Sequence, residues 1–157
     1  MTEPPAGAGA VADPSAKPHG RVLGLDLGDV RIGVAISDPD RRVAVPVGTV
    51  RTGAPQDLKA IAALVRDHEI TLVVVGHPLS LSGRVGPKAR HVEELAGALR
   101  SVLHVPVVLQ DERLSTVEAE RNLRAAGIRG RDRRRAVDRS AATVILQAWL
   151  DAHKPAG

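Results

Sequence analysis

The chain has 157 residues, enough for one domain with a full core. One Trp and no Phe or Tyr leave Val, Leu, Ile and Ala to build that core, and no aromatic platforms on which unpaired bases could stack, which argues against a single-strand reader of that type. The absence of Cys excludes disulfides, thiolate zinc sites and thiol redox chemistry, as suits the cytoplasm, while the formal charge of +4, carried mostly by Arg, favours bidentate phosphate contacts or reflects genome base bias.

Residues 1–20 are rich in Ala, Pro and Gly and lack a periodic apolar pattern, so a disordered tail is expected ahead of a single domain at 21–157. The tail has no basic segment followed by an apolar block, so it is not a secretory signal. No apolar run is long enough to span a membrane. The stretch Arg21–Asp38 reads as a β-hairpin turning at Gly28-Asp29-Val30. Leu23, Leu25 and Leu27 alternate with Gly24, Asp26 and Gly28, which puts the leucines on one face and a lone carboxylate between glycines on the other. A carboxylate there is costly unless something positive meets it, and the glycines would let such a partner approach. Asp26 is thus either a metal ligand or phosphate-site anchor, or a structural Asp paired, for instance, with Arg31.

Val43–Val50 reads as a third strand, and Pro46 inside it suggests a sheet edge. Pro55 opens a helix carrying Leu58, Ile61, Ala62, Val65 and His68 at helical spacing. Thr71–Val75 is a continuous β-forming apolar run, as for a strand buried on both faces. A loop with Ser80, Ser82, Gly83 and Gly86 leads into a second helix near Pro87, and Val105–Gln110 forms another buried strand. Ser115 and Glu118 make a capping box for a third helix, running to about Ala126. Gly127–Arg135 is loop-like and intensely basic, and a last helix spans Val137–Ala152 with Ala141, Ala142, Ile145, Leu146 and Trp149 in a stripe. The fold class is therefore α/β: a mixed five-stranded sheet, three antiparallel strands and then two parallel ones joined by crossovers, flanked by helices.

Three acids fall at element ends. Glu112 lies just past the last strand, where α/β sheets present ligand-facing residues, or it pairs on the surface with Arg113. Asp138 shares the spacing of the core-facing stripe of the final helix, or it caps that helix. Three such carboxylates would repel without cations between them, and oxygen-only ligation points to Mg²⁺ or Mn²⁺ rather than zinc.

These residues fall in motifs: DLGDVRIGVAISD at 26–38, GHPLSLSGRVGPKA at 76–89, DERLST at 111–116 and DRSAATVIL at 138–146. With them the chain resembles the YqgF/RuvX family of ribonuclease-H-like nucleases over nearly everything after residue 20. The resemblance implies a ribonuclease-H-like fold, a metal-binding catalytic triad of Asp26, Glu112 and Asp138, and the two roles proposed for the family, Holliday junction resolution and maturation of the 5′ end of 16S rRNA precursor. Against the family pattern the N-terminal tail is extended, His77 stands where an apolar residue is commoner, and Trp149 where Tyr is usual. The chemistry expected is two-metal hydrolysis of a phosphodiester, with Asp26 bridging both ions.

Arg31, Lys88 and Arg113 are candidate phosphate contacts. Arg129, Arg131, Arg133, Arg134 and Arg135, together with Arg121, Arg124 and Arg139, concentrate positive charge beside Asp138 and favour a nucleic-acid backbone, the alternative being a solvated charge run. Branched DNA or precursor rRNA is the expected partner, and a symmetric homodimer would supply the two sites that junction cleavage needs. Two other classes remain: a catalytically inactive nucleic-acid-binding module, and an actin-like or sugar-kinase-type phosphate-binding domain, for which the chain is short.

Overall fold

The computed structural model describes residues 19–113 and 130–154, with side chains described for 19–113 and 141–154. The tail up to residue 18, the helix expected from Ser115 to Ala126, and Arg121, Arg124 and Arg129 lie outside the described residues.

The hairpin forms as expected from β1 (Arg21–Leu27) and β2 (Arg31–Ser37), paired antiparallel. Its turn closes where the Gly28 N–H donates to the Arg31 carbonyl at 2.9 Å. A Cβ on Gly28 would lie 2.6 Å from that oxygen, so the turn needs a residue without a side chain. β3 (Ala44–Arg51) pairs antiparallel with β2, and Pro46 does sit on an edge strand. β4 (Ile70–His77) and β5 (Val107–Asp111) add in parallel, giving the order β3-β2-β1-β4-β5. Helices α1 (Gln56–Asp67) and α2 (Pro87–Val102) make the crossovers, and α3 (Gly130–Ala152) is the last described element.

Strand alternation sorts the core into two layers. Leu23, Leu25, Val73 and Val75 pack with Ile61, Val92 and Leu99 on the α1/α2 side. Val22, Leu72 and Val74 pack with Ala142, Ile145, Leu146 and Trp149 on the α3 side. Leu25 and Leu146 are fully buried in opposite layers, and truncating either to Ala would cost about 2–5 kcal/mol. The α3 layer is fastened at the amino end of the sheet by Arg41, only 4% exposed. Its guanidinium donates to the Gly20 carbonyl at 2.9 Å and to Thr71 Oγ1 at 3.0 Å, and lies 6.0 Å from the Trp149 ring. Among the described residues no helix is long and apolar enough to cross a membrane.

One boundary differs. The last helix begins at Gly130, so residues 130–135, expected as loop, are helical. Arg is a good helix former, and its charge here masked a helix whose apolar stripe starts only at Ala141. Asp138 is therefore eight residues beyond the first residue of α3, inside the helix, and the capping alternative falls away.

Candidate active site at the carboxyl ends of the parallel strands

β1, β4 and β5 run parallel and end on the same side of the sheet, the side on which open α/β sheets bind ligands. Asp26 is the penultimate residue of β1, Gly76 the penultimate residue of β4, and Glu112 follows directly on β5. Leu25 is in register with Val75 and Gly76 with Gln110, so Gly76 stands between the two acids.

The glycines around Asp26 do make room, and what they admit is α3. A Cβ on Gly24 would lie 2.7 Å from the Leu146 Cβ, and one on Gly33 would lie 3.6 Å from the Ala142 Cβ and 3.7 Å from the Asp26 Cβ. On Gly76 it would lie 2.7 Å from Ile145 Cδ1 and 3.0 Å from the Glu112 carboxyl carbon. The helix thus rests on bare backbone, and the Glu112 side chain folds back over Gly76 toward β1. Leu146 meets Gly24 while Ala142 meets Gly33 beside Asp26, so α3 runs antiparallel to β1. Asp138, one turn before Ala142, continues that row toward the carboxyl end of β1; its side chain lies outside the described residues.

Burial pushes the Asp26 carboxyl above the ordinary carboxylate range, and the positive charge of Lys88 pulls it partly back. Burial also raises Glu112, with the negative charge of Asp26 as the next cause; Lys88 and His77 oppose the rise and Asp111 adds to it. The charge that answers Asp26 is therefore Lys88 and not Arg31, an exposed residue at the start of β2. Two half-buried carboxylates, both raised by burial and one of them also by the charge of the other, with oxygen as their donor atoms, suit a hard divalent cation. Among the described residues no group of three or more His, Cys, Asp or Glu is gathered tightly enough to hold a metal.

Lys88, the second residue of α2, also lines an open cleft of about 480 Å³ with Leu27, Asp29, His91 and Glu94, which carries the site onto the α1/α2 side of the sheet. Arg113 does not pair with Glu112, the surface alternative for that residue. Its Nε donates to both carboxylate oxygens of Asp111, at 3.0 and 2.9 Å, and Nη2 adds a third bond. That guanidinium holds Asp111 below its usual range. Glu112 is left turned toward Asp26. His77 faces α2, its Nε2 2.9 Å from Glu93 Oε2. Sequence reasoning missed Asp111 and Glu93 as partners, and also Gly76, although strand period from Leu72 and Val74 puts Gly76 on the Asp26 face. Arg131, Arg133, Arg134 and Arg135 lie in the first turns of α3, their side chains outside the described residues.

A profile of the family described as "RuvX: Holliday junction resolvase" matches residues 20–152. The chain belongs to the RuvX family. An Anaeromyxobacter dehalogenans (strain 2CP-C) protein named "Putative pre-16S rRNA nuclease" is 53% identical over 136 residues, 86% of this chain and 99% of that protein. One of the same name from Mycobacterium leprae (strain Br4923) is 52% identical over 135 residues, 85% of this chain and 73% of that protein. Among solved structures, T. thermophilus RuvC in complex with Holliday junction substrate matches with a TM-score of 0.51 at 17% identity, over 85% of this chain and 95% of that one. At that identity the likeness is one of fold, and it makes the architecture of this RuvX-family chain ribonuclease-H-like.

Proposed function

We propose that this RuvX-family chain is a metal-dependent nuclease that hydrolyses phosphodiester bonds in structured nucleic acid, acting in the cytoplasm on four-way DNA junctions, on 16S rRNA precursor, or on both. The observation that carries the reading is the pair Asp26 and Glu112: two half-buried carboxylates at the ligand end of the sheet, both raised, one by the charge of the other. An inactive binding module would gain nothing from keeping that repulsion half-buried.

Asp26, Glu112 and Asp138 would hold Mg²⁺ or Mn²⁺, with Asp26 central because Glu112 folds over Gly76 toward β1 and α3 runs across the face of β1. Bound as a pair, such ions supply an activated water and neutralise charge at the scissile phosphate. Lys88, placed between the carboxylates and the cleft of α2, would hold a non-bridging phosphate oxygen and keep the strand in line. Arg31, at the same sheet end, and the arginines of residues 129–135 would grip the flanking backbone, and Arg113 would act through the loop it fastens. A homodimer on a junction would place two sites about its own two-fold axis.

The test is cleavage of a four-way DNA junction and of precursor 16S rRNA, side by side, with Mg²⁺, with Mn²⁺ and with chelator. The relatives named for pre-16S rRNA favour the RNA arm, and the family description favours the junction arm. Paired nicks across the junction support the resolvase role; efficient trimming of the precursor with only single nicks in the junction supports the rRNA role. Metal-independent cleavage, or none of either substrate, contradicts the reading.

A further inference from the structure

Leu81 is 87% exposed, an apolar side chain held out in water. Isolated exposed leucines are common on protein surfaces. This one differs in how it is held. The Gly83 N–H donates to the Ser80 carbonyl at 2.8 Å, the Ser80 N–H to the Arg84 carbonyl at 3.1 Å, and the Arg84 N–H to Ser80 Oγ at 3.0 Å. Gly83 takes a left-handed φ of +87°, which closes the turn tightly. The turn is also fastened from outside: Arg113 Nη1 donates to the Leu81 carbonyl at 3.4 Å, and Arg113 itself is clamped by Asp111. Leu81 therefore stands on a braced turn, joined through one side chain to the residue next to Glu112.

Its surroundings are cationic and face the same end of the sheet. Arg84 lies in the same turn and Lys88 is the second residue of the helix that follows it, so the turn carries an exposed apolar side chain among positive charges. The chain has no Phe or Tyr, and its one Trp is 4% exposed in the core. Among apolar side chains, an exposed aliphatic one is then what the turn can offer to the face of a base. Apolar side chains such as Leu enter base steps, unstack them and kink the duplex.

We propose that Leu81 is an apolar wedge that enters the base stack where a nucleic-acid duplex is interrupted, at a branch point or helix junction, and so seats the scissile strand over Asp26 and Glu112. The inference rests on the nuclease reading above. Its chemistry is shared by DNA and RNA, and the two are separated by the test.

The test uses the full chain carrying Asp26→Asn, with and without Leu81→Ser, and 2-aminopurine at the branch of a four-way DNA junction, at a helix junction of precursor 16S rRNA, or inside an unbranched duplex. Binding is followed by anisotropy of a separate end label. The expected result is a rise in 2-aminopurine fluorescence on binding to a branched substrate and none on the unbranched duplex. Adding Leu81→Ser should abolish the rise and weaken binding about tenfold, the loss expected for one buried leucine. The substrate that gives the Leu81-dependent rise is the one the wedge serves. Binding without a rise, or a rise unchanged by Leu81→Ser, overturns the wedge and leaves the nuclease reading standing. Binding to neither branched substrate overturns that reading and the wedge with it.

Discussion

Asp26 and Glu112 come from strands separated by β4, yet the charge of Asp26 reaches Glu112 and raises its carboxyl, because the bare backbone of Gly76 lies between them. The consequence is an energetic conflict in the metal-free protein. Burial sets the folded pKa of Asp26 above its ordinary value of 3.8, so ionised Asp26 is tolerated less well in the folded chain than in the unfolded one. Stability attributable to this group is therefore lost as pH rises through the raised folded pKa, and the group makes no difference below 3.8, where both states are protonated. Asp26→Asn should raise the metal-free Tm at neutral pH, by roughly 2–4 °C per 1 kcal/mol of relief for a chain of this size. The gain should fade as pH falls toward 3.8. Thermal melts of both proteins across that range check it; a Tm lowered at neutral pH would mean that the charge is satisfied.

Metal should reverse the sign. Millimolar Mg²⁺ or Mn²⁺ should raise the Tm of the wild type and leave Asp26→Asn and Glu112→Gln nearly unmoved, since a ligand bound only by the folded state stabilises it by mass action. Equal shifts in all three proteins would place the ion elsewhere.

The glycines under α3 separate packing from site geometry. Gly24→Ala sets a Cβ 2.7 Å from the Leu146 Cβ and 3.3 Å from the Ala142 carbonyl, neither of which can swing aside. It should cost about 1–3 kcal/mol, as overpacking does. Gly76→Ala meets the ends of Ile145 and Glu112, which can move. Its loss of stability should be smaller and its loss of cleavage larger, because Glu112 is pushed off its place. Denaturant melts and cleavage rates on the two variants decide; a reversed order would contradict the placement of Glu112.

Much of this arrangement was legible in the sequence, for particular reasons. Period-2 alternation in β1 set Leu23 and Leu25 against Asp26, and that is the division between the two core layers. Pro46 marked one edge and the apolar run of β4 marked a buried parallel strand, but β5, expected to be buried as well, is the opposite edge of the described sheet and only its Val107 is buried. What was not legible depends on contacts between elements or on charge overriding propensity. Arg113 chose Asp111 over Glu112 because the chain turns as β5 ends, and spacing alone does not say which neighbour an arginine will meet. Arg41 is buried with a left-handed φ of 59° because Thr71 and two backbone carbonyls receive it, and nothing local marks it out from Arg42. The start of α3 was hidden by its own arginines.

Those arginines give a prediction of their own. Changing Arg131, Arg133, Arg134 and Arg135 to Ala should weaken binding to any sequence and lower the log–log salt slope by roughly 0.9 per lost phosphate contact on duplex DNA. Titrations from low to moderate salt check this, and an unchanged slope would mean that the run is only solvated.

The brace between β5 and the Leu81 turn should be separable from the carboxylates. Asp111→Asn removes the charge that clamps Arg113 and should speed hydrogen exchange at Gly83 and Arg84 while leaving the amides of β1 and β4 protected. Exchange unchanged at Gly83 and Arg84 would show that the turn holds itself.

The measurement that bears most directly on the central claim is cleavage by Asp26→Asn, with wild type beside it, on the substrate the wild type cuts best in Mg²⁺ or Mn²⁺. The amide keeps the shape of the side chain and removes its charge. Cleavage should fall by at least about a hundredfold, the scale of losing one group that acts on the transition state, with nucleic-acid binding kept or slightly tightened because less negative charge faces the phosphates. Cleavage by Asp26→Asn near the wild-type rate would contradict the assignment of this site.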